Sequence, residues 1–140
     1  MAAAVKHVIV CGGGMTGWRI VRLLESQPLH FRVTLVDRKD HHENPTGAAR
    51  SLCDPAFMSQ TAKPHAQWVQ SATLVIGSLL EVNRKYIVVQ GIGQEKQKLD
   101  FDFLVVATGH RYPLFKPGAL TLDQVCDSDT HRSGTCHILN

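Results

Sequence analysis

The stretch KHVIVCGGGMTGWRIVRLLESQPLHFRVTLVD, residues 6–37, carries the strongest structural signal in this 140-residue chain. The apolar run at residues 7–11 is typical of a buried strand. A glycine-rich turn follows at residues 12–17, and apolar residues then recur at helical spacing. Residues 31–36 are typical of a second strand, which ends on Asp37. The stretch therefore predicts a strand, a turn, a helix and a second strand.

The turn has the pattern G-x-G-x-x-G, in which each glycine has a physical reason. Gly12 allows a tight turn, Gly14 lets the backbone approach a pyrophosphate, and Gly17 lets the helix lie close to the sheet. The N-terminus of the helix offers free N–H groups and the positive end of its dipole to phosphates. Asp37 comes twenty residues after Gly17, which is about the spacing at which an acid meets ribose hydroxyls. These features predict nucleotide binding; a glycine-rich unit without a ligand is the alternative.

The predicted helix has one apolar face and ends at Pro28, because the residue before a proline is pushed out of the helical region. The residues expected to face the sheet are Ile20, Val21, Leu23 and Leu24. The side chains of Met15 and Trp18 are expected to pack rather than to bind. The second strand is apolar on both faces, as expected for a central parallel strand covered on both sides.

Composition narrows the class of protein. The length fits one domain with a real core, and 44% hydrophobic with 19% charged residues is ordinary for a globular protein. A net charge of +3 with scattered basic residues does not suggest nucleic-acid binding. The four cysteines show no paired spacing, and no metal-ligand spacing is convincing. No signal peptide or membrane span is recognisable at the start, so we expect a cytoplasmic location, with association with a membrane or mitochondrion left open.

The remainder of the chain changes character twice. Residues 38–72 lose the strand–helix rhythm and predict a loop with one or two short helical turns. From residue 73, an antiparallel β-meander is predicted, with strands at 74–82, 86–90 and 94–99. Residues 103–106 then form an apolar strand that runs into Ala107-Thr108-Gly109. Residues 119–140 have no clear period and are expected to form a poorly ordered tail.

Two further stretches carry a family resemblance. The segment LDFDFLVVATGHRYP, residues 99–113, resembles the strand ending in Ala-Thr-Gly of FAD/NAD(P)-binding proteins of the pyridine nucleotide-disulfide oxidoreductase-like superfamily. The segment VDRKDHHENPTGAAR, residues 36–50, is similar to the apoptosis-inducing-factor-like and type II NADH dehydrogenase branch. In that branch a histidine-containing loop leads to an arginine that contacts FAD. The disulfide reductases are disfavoured because they need a cysteine pair where only Cys53 is found.

The resemblance implies an FAD site. Arg50 matches the FAD-contacting arginine, and Val75 matches a position where the backbone reads the adenine. A surface arginine and a core valine are the alternatives. The residues predicted to bind the cofactor are Gly12, Gly13, Gly14, Met15, Thr16, Gly17, Asp37, Arg38, Arg50, Val75, Ala107, Thr108 and Gly109. No catalytic residue and no metal ligand is assigned, and His41 and His42 are expected to be solvated loop residues.

The resemblance also implies a reaction, in which hydride passes from NAD(P)H through flavin to a quinone-like acceptor. It covers residues 6–118, about the first third of such an enzyme. We therefore expect an α/β FAD-binding domain fragment at residues 1–118, with a parallel sheet and an antiparallel meander, truncated before the NAD(P)H domain. The alternatives are a non-catalytic nucleotide-binding module and a stand-alone NAD-binding Rossmann domain. Activity, membrane contact, oligomeric state and the choice between NADH and NADPH stay open.

Overall fold

A parallel sheet forms the centre of the molecule. The computed structural model describes residues 4–47, 50 and 54–109. Within this part, four strands run parallel: β1 (Lys6–Cys11), β2 (Phe31–Asp37), β5 (Thr73–Ile76) and β9 (Phe103–Val106). Their order across the sheet is β5-β2-β1-β9. The two strands predicted from residues 6–37 are thus the central ones.

The central strands bury apolar side chains on both faces. On one face, helix α1 (Met15–Glu25) packs on the sheet; its cluster consists of Val8, Val10, Val21, Val33, Leu35 and Trp68. The cluster on the other face consists of Ile9, Cys11, Val36, Ile87 and Val89. Because successive strand residues point to opposite faces, a strand covered on both sides is apolar at every position. This explains why residues 8–11 of β1 are all apolar and why β2 carries apolar residues on both faces.

Three of the four residues that we expected to face the sheet from helix α1 do so. Val21 is fully buried, and Ile20 and Leu24 pack against the same cluster. Leu23, which we expected to face the sheet, is 63% exposed. A helix turns by about 100° per residue, so Leu23 points about 200° away from Val21, whereas Leu24 returns to within about 60° of it. Apolar character alone does not identify the buried face.

An antiparallel meander covers the second face of the sheet. Its strands are β6 (Ser78–Val82), β7 (Tyr86–Gln90) and β8 (Lys96–Asp100), in that order. The meander is as predicted, but its start is not. Thr73–Ile76 does not belong to it and instead pairs with β2 as a parallel edge strand. The break falls at Gly77, where a Cβ would lie 2.8 Å from the carbonyl oxygen of Gln90.

The connection between β2 and β5 is more structured than expected. Strands β3 (His41–Glu43) and β4 (Ala62–Pro64) pair antiparallel. The described part of this connection also contains short helices, among them the 3-10 turns Pro45–Gly47, Pro55–Phe57 and His65–Gln67 and the four-residue α2 (Met58–Thr61). The expectation of a loop with one or two helical turns was therefore wrong, because the β3–β4 pair joins residues about twenty positions apart.

Some predictions fall outside the described residues. These are the last part of the predicted domain at residues 110–118 and the poorly ordered tail at 119–140, and Cys53 also lies outside the described residues. Across the ranges that the structure does describe, no helix combines the length and the apolar character needed to cross a lipid bilayer.

Candidate nucleotide-binding site

The carboxyl ends of β1, β2 and β9 bring the two glycine-containing signatures together. The amide of Gly12 donates to the carbonyl of Val36 at 2.7 Å, and the amide of Ala107 donates to the carbonyl of Cys11 at 2.7 Å. From β1 the chain continues to β2 on one side, while β9 lies on the other side. This edge is therefore a topological switch point, where open α/β sheets bind their ligands.

Gly12 and Gly17 are required by the close approach of backbone to backbone. Gly12 has a φ of +104°, which L side chains rarely adopt, and a Cβ there would overlap the carbonyl of Ala107. A Cβ on Gly17 would overlap the carbonyl oxygen of Gly12. The first and last glycines of the turn thus hold α1 against the sheet.

Gly14 is different, because a Cβ there would meet nothing within 4 Å. It is the N-cap of α1, in an extended conformation, and its carbonyl accepts the first helical hydrogen bond from Trp18 at 2.8 Å. The amides of residues 15–17, which come before Trp18 in the first turn, have no partner within the helix. Met15 and Thr16 are exposed, and the first turn contains no acidic residue. The N-terminus of α1 is therefore accessible and electropositive.

Gly13 is held by side chains from two directions. Its amide donates to Oδ2 of Asp37 at 2.5 Å. Its carbonyl lies 3.0 Å from Nδ1 of His42, which must carry the proton because a carbonyl only accepts. A Cβ on Gly13 would overlap the ring of His65. The Gly13 amide is thus occupied, and a phosphate at this turn would have to bind the amides that follow it.

Asp37, at the end of β2, is the centre of these contacts. Its Oδ1 accepts from the amide of Lys39 at 3.0 Å, and its Oδ2 lies 3.4 Å from Nε2 of His65. Burial opposes ionisation, but the contact with His65 and the amide bonds from Lys39 and Gly13 outweigh it, so the pKa of Asp37 lies below its ordinary value. A carboxylate offers about four acceptor positions. The side chain is 18% exposed and therefore keeps room for another donor, such as a hydroxyl group.

The expectation that His41 and His42 are solvated was wrong, since they are 2% and 9% exposed. The ring of His41 lies between two carboxylates, 2.7 Å from Asp40 and 3.1 Å from Glu43. Burial disfavours the charged ring, but the hydrogen bonds to Glu43 and Asp40 prevail and raise the pKa of His41. The hydrogen bond from His41, together with Lys39 at 2.6 Å, lowers the pKa of Glu43 to about 2 despite its partial burial.

His65 belongs to the site, although sequence reasoning missed it. It begins the 3-10 turn His65–Gln67, its ring is fully buried, and it packs edge-on against Trp68 with 5.4 Å between ring centroids. It stands twenty-eight positions after Asp37. A single histidine in an irregular segment has no periodic signal, so no local pattern reveals this contact.

The other predicted site residues lie at different distances from the turn. Val75 pairs with Val36 in the sheet, close to the end of β2, and Arg38 directly follows Asp37. Gly109 has a φ of +69° and is exposed, as is Thr108. The Arg50 guanidinium lies 4.0 Å above the ring of Phe57, a contact outside the turn. The structure therefore gathers the predicted residues at one edge of the sheet, with Arg50 on the neighbouring connection.

Two curated proteins of Dictyostelium discoideum are similar to this chain. Apoptosis-inducing factor homolog B is 28% identical over 109 residues, which are 78% of this chain and 26% of that protein. Apoptosis-inducing factor homolog A is 27% identical over 104 residues, which are 74% of this chain and 24% of that protein. The chain thus spans about a quarter of the length of the curated relatives it matches. No family model matches the chain.

Solved structures share the fold. NDH2 from Plasmodium falciparum in complex with RYL-552 superposes with a TM-score of 0.67 at 15% identity, over 97% of this chain and 31% of that one. The sulfide:quinone oxidoreductase from Aquifex aeolicus gives 0.66 at 17% identity, over 93% and 32%. The fold class predicted from the sequence is confirmed. The predicted resemblance is confirmed as well: the chain is similar to the apoptosis-inducing-factor-like branch of the FAD/NAD(P)-binding pyridine nucleotide-disulfide oxidoreductase-like superfamily.

Proposed function

We propose that this chain binds FAD at the N-terminus of α1 and forms the FAD-binding part of an NAD(P)H-dependent oxidoreductase with a quinone-like acceptor. The observation that carries the proposal is the contrast within the turn. Gly12 and Gly17 have no space for a Cβ, whereas Gly14 borders open space at an uncapped helix N-terminus. Packing explains Gly12 and Gly17 but does not explain Gly14. The close approach of a phosphate explains Gly14.

The residues at this edge fit a dinucleotide. The amides of Met15 and Thr16 would bind pyrophosphate oxygens, and Asp37 would accept from the hydroxyls of the adenosine ribose. When bound, FAD would supply the redox chemistry, and the chain supplies binding and orientation. The exposed backbone of Thr108 and Gly109 forms the opposite side of the site, where small residues leave room for the cofactor.

The remaining predicted residues extend this proposal. Val75 lies on β5, an edge strand of the described sheet, so its backbone is a candidate to read the adenine. Arg50 would bind the pyrophosphate if its guanidinium left the ring of Phe57, and a guanidinium is well suited to that partner. The assignment of residues 1–118 to one FAD-binding domain belongs to the same proposal. The names of three similar solved structures support the reaction class. They are NDH2, a sulfide:quinone oxidoreductase and a water-forming NADH oxidase.

The test is retention of flavin by the purified chain. The protein is mixed with FAD and desalted, and its visible absorption spectrum is recorded. We expect flavin bands for the unaltered chain and their loss in Gly14→Val, because the new side chain fills the space next to the helix N-terminus. Ala4→Val is the matched control and should retain flavin. Ala4 is exposed and lies just before the first residue of β1, at the end of that strand away from the site. Equal retention by Gly14→Val and the control would refute the placement.

A second measurement separates the alternatives. Oxidation of NADH by the flavin-loaded chain in the presence of a quinone would support the oxidoreductase. Retained flavin without turnover would favour the non-catalytic nucleotide-binding module. A chain that retains no flavin but is stabilised by NAD in thermal unfolding would favour the stand-alone NAD-binding domain.

A further inference from the structure

We propose that His65 is a positioning residue that orients the carboxylate of Asp37, and thereby sets the preference of the site for nucleotides with an intact ribose. The inference rests on the proposed nucleotide site. It concerns a residue outside the glycine pattern, brought to the site by the connection between β4 and β5.

The position of His65 is fixed by its backbone and by its neighbours. Its amide donates to the carbonyl of Asp40 at 2.8 Å, and its carbonyl accepts from Trp68 at 3.1 Å and Val69 at 3.0 Å. Its ring is 0% exposed and packs against the ring of Trp68. The imidazole therefore has little freedom to move away from Asp37.

Packing alone does not account for a histidine here. Neither ring nitrogen has a well-aligned hydrogen bond within the described part of the chain, and leaving a buried polar atom unpaired costs free energy. An apolar ring would fill the same space without that cost. The Nε2 atom of His65 lies 3.4 Å from the carboxylate oxygen Oδ2 of Asp37. The geometry therefore connects the histidine with the carboxylate.

The carboxylate needs such a partner, because its own torsion does not fix it. The terminal torsion of an aspartate is broad, so its neighbours decide the plane in which the two carboxylate oxygens lie. Here Gly13 and His65 both face Oδ2, while the amide of Lys39 reaches Oδ1. With Oδ2 held inward, Oδ1 is the oxygen that accepts from a ribose hydroxyl. Loss of His65 would leave the Gly13 amide alone to hold Oδ2.

The other charged or titratable groups around this contact, among the described residues, belong to three elements. Strand β1 contributes Cys11, on whose thiol the negative charge of Asp37 acts. The connection after β2 contributes Lys39, whose amide holds Oδ1, and β3 contributes His42, whose Nδ1 binds the carbonyl of Gly13. His41 is engaged with Asp40 and Glu43 instead. Asp37 is thus the carboxylate that the ring of His65 contacts.

The experiment compares ADP with 2′-deoxy-ADP by titration calorimetry. The proteins are the unaltered chain, His65→Phe, His65→Gln, Asp37→Asn and the double variant His65→Phe/Asp37→Asn. We expect the unaltered chain to prefer ADP by about tenfold, the value of one good hydrogen bond. His65→Phe should reduce this preference to about twofold or less, and His65→Gln, which keeps an N–H donor, should restore part of it. His30→Gln, at an exposed histidine, is the control and should keep the full preference.

The double variant distinguishes positioning from general support of the fold. If His65 acts through Asp37, His65→Phe changes the preference in the unaltered background and not in Asp37→Asn. Equal weakening of both nucleotides in both backgrounds would assign His65 a purely structural role and overturn the inference. An unchanged preference for ADP in folded His65→Phe would also overturn the inference. If the unaltered chain binds both nucleotides without a preference, the inference about His65 is overturned, but the proposed nucleotide site is not. Failure of the unaltered chain to bind either nucleotide would refute the proposed function itself.

If His65→Phe does not fold, nitrogen NMR of the unaltered chain provides the answer. The Nε2 signal of His65 should move when ADP binds and move less when 2′-deoxy-ADP binds. A signal that responds to neither nucleotide, although both bind, would overturn the inference.

Discussion

Two regions hold the carboxylate of Asp37 in different ways: the turn uses one backbone amide, and the connection adds a buried side chain to the backbone amide of Lys39. The turn at residues 12–17 reaches it through the backbone amide of Gly13, in a geometry that depends on missing side chains. The connection at residues 38–72 reaches it through the buried ring of His65. The turn should therefore be sensitive mainly to added volume, with a pH dependence only through Asp37, whose pKa the Gly13 amide helps to lower. The connection should be sensitive to charge and protonation, because its contacts join histidines to carboxylates.

The largest effect is expected from Gly17→Ala, which tests the role of volume in the turn. Alanine favours a helix by about 1 kcal/mol over glycine, but its Cβ would overlap the carbonyl oxygen of Gly12. We expect a net loss of more than about 3 kcal/mol in the free energy of unfolding, measured with urea. Gly14→Ala is the matched control, with a change within about 0.5 kcal/mol, because its Cβ meets nothing. Equal effects of the two substitutions would contradict the packing described for the turn.

An intermediate effect is expected where the two regions touch. A Cβ on Gly13 would overlap the ring of His65 and lie 2.8 Å from Oδ2 of Asp37. Gly13→Ala should therefore cost about 2 to 3 kcal/mol of unfolding free energy. In a His65→Ala background the same substitution should cost about 1 kcal/mol less, because the ring that it meets is gone. Strictly additive losses would mean that the turn and the connection are not in direct contact.

The smallest effect concerns the charges of the connection and depends on pH. The pKa of Glu43 is lowered to about 2, so its contribution is present above the ordinary value of 4.5 and is lost as the pH falls towards 2. The pKa of His41 is raised, so its contribution is present below the ordinary value of 6.5 and is lost as the pH rises through the raised value. The pair therefore stabilises most between those two ordinary values.

Glu43→Gln measures this window. Because the Glu43 side chain is 45% exposed, we expect a loss of at most about 1 kcal/mol near the middle of the window and less on either side. Thermal or urea unfolding across pH would show it. Glu95→Gln, at an exposed position in the meander, serves as control and should leave the pH profile unchanged. If the stability of Glu43→Gln changes with pH in parallel with that of the unaltered chain, the connection is no more sensitive to charge than the turn, which would contradict the comparison.

The parts of the fold that could be predicted are those specified by nearby residues. The order β1, turn, α1 and β2 follows from apolar period and glycine spacing over residues 6–37, and the strand before Ala107 from a short apolar run. In both cases the deciding interactions join residues that are close in sequence or belong to parallel strands of uniform apolar character. The edge of the sheet where nucleotide binding is proposed could therefore be located in advance.

The remaining parts depend on contacts that no local pattern records. The apolar run from Leu74 to Val82 reads as one strand, but Gly77 divides it between two sheets, because the meander packs too closely there for a Cβ. His65 and His41 lie in irregular sequence, and both are buried. They come close only through long-range contacts, such as the pairing of His41 with Pro64 in β3 and β4. Leu23 shows the same limit within a helix, since its apolar side chain remains exposed.

The most direct test of the central claim is to locate the bound nucleotide by NMR. ADP is added to the nitrogen-15-labelled chain, and the amide signals are followed. Binding at the N-terminus of α1 predicts that the largest shifts occur at Gly14, Met15 and Thr16, with a second group around Asp37, and little change in β6, β7 and β8. Shifts concentrated on the meander, or none at the N-terminus of α1 although ADP binds, would contradict it.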